Sequence, residues 1–278
     1  MKLLRYGQSG QEKAGAVDNN GQIRDLSLLV PDLTPDWLSK PKLAALAAID
    51  LEKMPLVTEP VRIGVPVAGV RQFVAIGLNY KKHAEEAGLP LPEEPVVFTK
   101  AITSLSGPND DIVMPEGSEE LDWEIELGII MGATAQNVDE ANALDYVAGY
   151  CLSNDVSERA WQIKRNGQWG KGKSFDTFGP VGPWLVTTDE LPNPQTLDMT
   201  LKVNGEVRQH SNTADMIFPV ANIVAYLSKF MTLLPGDIII TGTPAGVGLG
   251  MKPPQFLKRG DVVTLSIDKL GTQTQNVV

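Results

Sequence analysis

DWEIELGIIMG, residues 122–132, is the most strand-like stretch of the chain. It alternates from Trp123 and then turns wholly apolar, as a strand does when both of its faces enter a core. The alternating part sends Glu124 and Glu126, at i and i+2, out of one face, while Ile125 and Leu127 face the other way. Two carboxylates side by side repel. Solvent on a half-exposed strand relieves that repulsion, and so does a bound cation.

The surroundings of this strand are also rich in β-structure. Lys2–Tyr6, Ala14–Asp18 and Gln22–Asp25 read as short strands, with a hairpin corner at Asn19-Asn20-Gly21. Thr34-Pro35 opens a short helix through Trp37, and KLAALAAID (42–50) is a second helical stretch. Pro55 and Pro60 then place a boundary near residue 65, giving a small β-rich N-terminal domain (1–65) and a larger domain (66–278). FVAIGLNY (73–80) reads as a buried strand entering a helical turn, KKHAEEAG, closed by Gly88. Leu89–Pro95 is a proline-rich loop and VVFTK (96–100) is strand-like. ANALDYVAGYCLSND (141–155) starts helical and ends as strand, and SERAWQIKR (157–165) reads as helix. LKVNGEVRQ (201–209) is a hairpin turning at Asn204-Gly205, and Ile217–Thr232 an amphipathic helix. LPGDIIITGTPAGVG (234–248) is a turn, a buried strand and a glycine-rich loop, and RGDVVTLSID (259–268) another turn and strand. Strands dominate without alternating with helices, so the expected fold class is α+β and mainly β, not a doubly wound sheet.

Composition narrows the function. A net charge of −10 argues against a nucleic-acid binder and against an anionic membrane surface. Cys151 is the only cysteine, so no intrachain disulfide is possible. The opening turns polar before a signal-peptide core forms, and no apolar run reaches the roughly 18 residues of a membrane span. A cytoplasmic protein is expected.

GQWGKGKS (167–174) fits the phosphate-loop pattern G-x-x-x-x-G-K-[ST] at every position. That loop works by feeding a strand into a helix whose N-terminal N–H groups hold the anion. Here FDTFGPVGPW follows, and its Gly179, Pro180, Gly182 and Pro183 forbid a helix. Lys173 is therefore available for other chemistry, with the glycines giving its loop freedom to turn.

Other candidate residues lie close in sequence. Asp155 ends an apolar stretch, where it serves either as a site carboxylate or as an N-cap of the helix after it. Arg159 and Gln162, at i+4 and i+7, would share a helical face with it. Three oxygen ligands, Glu124, Glu126 and Asp155, suit Mg²⁺ or Mn²⁺ better than zinc. His83 and Glu86, three apart in a helical turn, can pair as an oriented general base, or simply belong to a charged surface turn. TGTPAGVG (241–248) can offer N–H groups and threonine hydroxyls to a carboxylate.

Taken in order, FVAIGLNYKKHAEEAG, DWEIELGIIMG, SNDVSERAWQ, GKSFDTFGPVGPW, VNGEVRQ, LPGDIIITGTPAGVG and RGDVVTLSID resemble the fumarylacetoacetate hydrolase family. The resemblance implies a mixed β-roll, a homodimer, and Mg²⁺ or Mn²⁺ held by Glu124, Glu126 and Asp155. It also implies a His83–Glu86 base dyad on a lid, and catalytic Lys173. Arg159, Gln162 and Thr243 become the substrate contacts. The expected reaction is hydrolysis of the C3–C4 bond of a 2,4-dioxo acid to pyruvate and a carboxylic acid. The N-terminal residues further resemble a branch acting on 2,4-diketo-3-deoxy sugar acids such as those from L-fuconate or L-rhamnonate. Oxaloacetate decarboxylation, or another lyase or isomerase step through an enolate, would use the same residues. A non-catalytic carboxylate-binding protein is the third reading.

Overall fold

The computed structural model describes all 278 residues. Thirteen strands carry the architecture. They are β1 (Lys2–Tyr6), β2 (Lys13–Val17), β3 (Ile23–Asp25), β4 (Phe73–Gly77), β5 (Val96–Thr99), β6 (Ile125–Met131) and β7 (Val147–Asn154), followed by β8 (Gly179–Thr187), β9 (Asp198–Val203), β10 (Glu206–Asn212), β11 (Ile238–Ile240), β12 (Val262–Ile267) and β13 (Gly271–Asn276). The helices are α1 (Lys40–Ala47), α2 (Lys81–Ala87), α3 (Arg159–Ile163), α4 (Gly170–Lys173) and α5 (Val220–Ser228). The chain is mainly β, as its sequence predicts.

One large sheet runs in the order β3-β2-β1-β8-β7-β6-β11-β4-β5, and a second runs β10-β9-β12-β13. In the large sheet, β11 and β4 are parallel while β6 is antiparallel to both β7 and β11. The apolar run of β6 has a physical reason. Ile125, Leu127, Ile129 and Met131 enter one core, shared with the second sheet and α5, whereas Ile130 enters another. In the same way β11 sends Ile239 to the first core and Ile238 and Ile240 to the second. With both faces covered, every residue of these strands is buried, and solvent-side polar alternation is lost.

The second core joins Leu3, Leu33 and Leu43 to Phe73, Ile130 and Ile238. Residues 1–65 thus extend the large sheet through the β1–β8 pairing and share its apolar interior. Arg62 adds a polar tie, bonding Glu12 and Asp110 at 2.9 and 2.5 Å.

Several local expectations shift. The helix expected over 157–165 is shortened to Arg159–Ile163, because Ser157 and Glu158 pair as a strand with Asp122 and Leu121. Its N-cap is Glu158, whose side chain accepts from the Ala160 N–H, so Asp155 is free of that duty. The helix expected at 217–232 spans Val220–Ser228, starting after Pro219. The glycine- and proline-rich segment after Lys173 becomes strand β8, and a turn, not a strand, leads into Gly170. No helix is long and apolar enough to cross a membrane.

Leu3 is fully buried in the shared core. Leu3→Ala is expected to lower stability by about 2–5 kcal/mol while scanning calorimetry still shows a single transition. Two resolved transitions would instead show residues 1–65 unfolding on their own.

Candidate active site

The register of β6 against β7 assembles the carboxylates. Ile125 pairs with Asn154 and Glu126 with Ser153, and one rung beyond the strand the Asp155 N–H donates to the Glu124 carbonyl at 2.9 Å. Residues opposite one another in an antiparallel pair project to the same face, so Glu124, Asp155 and Glu126 emerge together. A carboxylate oxygen from each lies within 4.8 Å of the others. All three are buried, with Glu126 only 1% exposed, so the solvated-face alternative is excluded.

Such a cluster must be compensated. Lys173 Nζ bonds Glu124 Oε2 and Asp155 Oδ2, both at 2.7 Å. Lys100, which sequence reasoning passed over, donates to Asp155 Oδ1 from a fully buried side chain. Arg159 Nη1 reaches Glu124 Oε1 at 2.7 Å and donates to Gln162 Oε1 at 2.9 Å. Arg159 is anchored from behind by Asp122, whose Oδ2 accepts from Nε at 2.8 Å. Nη2 also lies 2.8 Å from that oxygen but out of line, and it makes no hydrogen bond. Asp122 further accepts from the Gly248 and Leu249 N–H groups at 2.7 and 3.0 Å, which ties the glycine-rich loop to the carboxylate strand. Asp122 was hidden as the first letter of the deciding strand, and Lys100 as the last letter of VVFTK. A lone charge ending an apolar strand was the only signal for either.

Protonation follows from these contacts. Burial raises the Glu124 pKa, but Lys173 and Arg159 outweigh it and hold the carboxyl at about 2. Glu126 pairs with no cation directly, and burial together with the charges of Asp155 and Glu124 outweighs the more distant Lys173 and pushes it well above the ordinary range. Burial pulls Lys173 down, yet Asp155 and Glu124 leave it above its ordinary value. For Lys100 burial wins, and its pKa is lowered despite Asp155.

The expected dyad lies beside a cavity that His83 lines. His83 Nδ1 is 3.1 Å from Glu86 Oε2 on α2, which ends at Gly88 in the left-handed conformation. Glu86 Oε1 accepts from the Gly246 N–H at 2.9 Å, so α2 is pinned to the TGTPAGVG loop. That loop is itself held from β6: the Gly242 N–H donates to Glu126 Oε2 at 2.7 Å. His83, Glu124, Glu126, Arg159, Gln162, Lys173 and Thr243 all line one cavity.

Two expected roles change in detail. Thr243 Oγ1 donates to the Ile125 carbonyl at 2.9 Å and accepts from Gln209 at 2.8 Å. Its single hydroxyl proton is thus committed to holding the loop. The glycine before Lys173 serves close approach, not freedom: a Cβ on Gly172 would lie 2.4 Å from the Gln162 nitrogen and 2.5 Å from the Glu158 carbonyl oxygen. Nor do Asp155, Arg159 and Gln162 share a helix. Asp155 arrives from the end of β7, and only Arg159 and Gln162 are on α3.

A buried all-oxygen donor set of three carboxylates fits a hard divalent cation such as Mg²⁺ or Mn²⁺. The same oxygens already bond Lys173 and Lys100, so a dication must compete with two ammonium groups for them.

Residues 72–278 match the family model of the fumarylacetoacetate hydrolase C-terminal domain. A Burkholderia ambifaria protein carrying a provisional hydrolase name is 61% identical over 277 residues, covering 99% of this chain and 98% of its own length. Among solved structures, fumarylacetoacetate hydrolase from psychrophilic Exiguobacterium antarcticum is 37% identical with a TM-score of 0.85, covering 100% of this chain and 99% of that one. Maleylpyruvate hydrolase from Sphingobium sp. SYK-6, in complex with manganese(II) ion and pyruvate, is 30% identical with a TM-score of 0.82 and the same coverage. The chain belongs to the fumarylacetoacetate hydrolase family.

A pH signature follows from the two glutamates. Glu126, with its pKa raised on folding, contributes stability that is complete below the ordinary carboxylate range and lost as pH rises through its raised value. Glu124, with its pKa lowered from 4.5, contributes above that value and loses the contribution as pH falls towards about 2. In metal-free protein Tm should therefore decline with rising pH above the carboxylate range, and Glu126→Gln should flatten that decline. Calorimetric titration with Mn²⁺ in buffers of different ionisation enthalpy should show proton release on binding; none would refute a protonated Glu126.

Proposed function

Starting from family membership, we propose that the protein is a Mg²⁺- or Mn²⁺-dependent hydrolase of 2,4-dioxo acids, cleaving C3–C4 to give pyruvate and a carboxylic acid. The observation that carries this reading is an oriented histidine base facing a carboxylate–lysine cluster across one cavity. A bound Mg²⁺ or Mn²⁺, held by Glu124, Glu126 and Asp155, would polarise the 2-keto group and share the charge that develops there.

The chain's own residues account for the rest. Glu86 accepts a proton-bearing Nδ1 of His83, which leaves Nε2 as the base. Nε2 removes a proton from water, and the resulting hydroxide adds to C4. The tetrahedral adduct collapses with rupture of C3–C4: the acyl half leaves as a carboxylic acid, and the bonding pair stays on C3 as pyruvate enolate. Protonated His83 returns its proton to C3, so atoms and charge balance. Lys173, buried and with its pKa held up by its two carboxylates, keeps a positive charge beside the enolate oxygen as it forms. Gln162 spends its carbonyl on Arg159, leaving its amide N–H beside the guanidinium for the acid end. Thr243 supports that end by fixing the loop.

Decarboxylation of oxaloacetate would pass through the same enolate but needs no base for water. His83 therefore separates the reactions. The decisive assay sets pyruvate release from an acylpyruvate against CO₂ release from oxaloacetate, with Mn²⁺ and again with EDTA. Pyruvate release abolished by EDTA is expected; CO₂ release alone, or equal rates with chelator, would overturn the assignment.

Two substitutions probe the division of labour. His83→Ala should reduce hydrolysis by about 10²–10⁴-fold with metal affinity little changed. Lys173→Met should lower turnover by at least about 100-fold yet bind Mn²⁺ as tightly or more tightly, because a competing cation is gone. Weaker Mn²⁺ binding in Lys173→Met, measured by calorimetry, would contradict that competition.

A further inference from the structure

We infer that the acyl arm of the substrate is apolar and uncharged: the arm of an alkyl- or aryl-acylpyruvate, in contrast to that of a dicarboxylate or a polyhydroxylated sugar acid. The inference rests on the 2-keto acid reading above and concerns the half of the substrate that the reading leaves open.

The cavity encloses about 140 Å³ and has seventeen lining residues, nine of them hydrophobic. Apart from the single indole N–H of Trp169, every side chain with a polar group that can meet substrate (His83, Glu124, Glu126, Arg159, Gln162, Lys173 and Thr243) already belongs to the metal, base or acid-end set. One donor and no acceptor is left over for the several hydroxyls of a sugar-acid arm. The lining cations are Arg159 and Lys173, and both are bonded to buried carboxylates at the acid end. The basic residues at the end of α3 and in α4 that do not line the cavity are engaged as well: Lys164 pairs with Glu120, Lys171 donates to the Arg165 carbonyl, and the Arg165 guanidinium stacks 3.7 Å over Trp161. A second carboxylate on the substrate would find no uncommitted cation among the lining residues to pair with.

What the cavity does offer is hydrocarbon. Phe98 and Trp169 meet edge-on, with ring centroids 5.5 Å apart. Around the opening stand Leu89, Ile163 and Leu249, which are 52%, 50% and 38% exposed. Single exposed apolar side chains are ordinary on a protein surface. Three of them, brought by the loop after α2, the end of α3 and the glycine-rich loop to one cavity, form a collar with an apolar use. An apolar cavity of roughly 150 Å³ accepts a benzene ring, so a pyruvyl head fills much of this one and the arm extends along the collar.

Binding and turnover can be read separately. Oxamates present the same planar acid–carbonyl head without a cleavable carbon–carbon bond. With Mn²⁺-loaded protein, calorimetry of N-butyloxamate, N-(3-carboxypropyl)oxamate and N-(2,3-dihydroxypropyl)oxamate should give at least about 10-fold tighter binding for the butyl compound. Equal affinities, preference for either polar arm, or binding by none of the three overturns the inference. Ile163→Lys, at a half-exposed position, should move the preference towards the carboxypropyl arm; an unchanged ratio also counts against it. Hexanoylpyruvate turnover tests the hydrolase reading on its own. A butyl preference without turnover would sustain the apolar arm and remove the hydrolase, and turnover without the preference would do the reverse.

Discussion

The compensation of buried negative charge is the constraint on which the rest of this structure depends. The β6–β7 register places Glu124 beside Asp155, two residues from Glu126, on a face closed to solvent. Left alone, three carboxylates in that setting would be strongly destabilising. The fold answers with Lys173 from the segment after α3, Lys100 from the end of β5 and Arg159 from the start of α3. Each of these elements is thereby drawn to the same strand end. Asp122 then fixes Arg159 and two loop N–H groups at once, so the position of the glycine-rich loop is also set by charge balance.

The compensation is uneven, and the unevenness is chemically useful. Glu124 is flanked by cations and stays ionised far into acid, whereas Glu126 is flanked by carboxylates and has its pKa pushed well above the ordinary range. A divalent cation at the cluster would offset the like charge that contributes to that rise. The backbone supports this poise: one oxygen of Glu126 takes the Gly242 N–H, and one oxygen of Glu86 takes the Gly246 N–H. The loop at 241–248 thus couples the carboxylate cluster to the His83–Glu86 pair.

Much of this was legible in the residues. The apolar run of 125–131 announces a strand covered on both faces, and the two-core partition of Ile129 and Ile130 explains why alternation stops there. The helical turn at 81–87, its Gly88 terminator and the His83–Glu86 contact all follow from spacing of three and a left-handed glycine. The failure of the phosphate-loop pattern was equally readable, since a turn and then β8 follow Lys173 where a helix would have been required. Lys100 and Asp122 were not legible, because one charged residue at the edge of an apolar strand has no periodicity to expose it. The extent of α3 was misread for a related reason. Ser157 and Glu158 have partners 35 and 37 residues away in Asp122 and Leu121, and no local propensity reports a pairing at that distance.

The sequence by itself determined the mainly β class, the family resemblance and the nine candidate residues, because these depend on local patterns and on order along the chain. Tertiary structure alone decided which of those residues share a cavity and which way burial and neighbouring charge move their pKa values. It turned Gly172 from a flexible link into a close contact, committed the Thr243 hydroxyl to a backbone carbonyl, and placed nine hydrophobic residues around the cavity. The reason is that hydrogen-bond commitment, burial and electrostatic compensation are properties of neighbours in space. Here those neighbours are up to 160 residues apart, as Glu86 and Gly246 are.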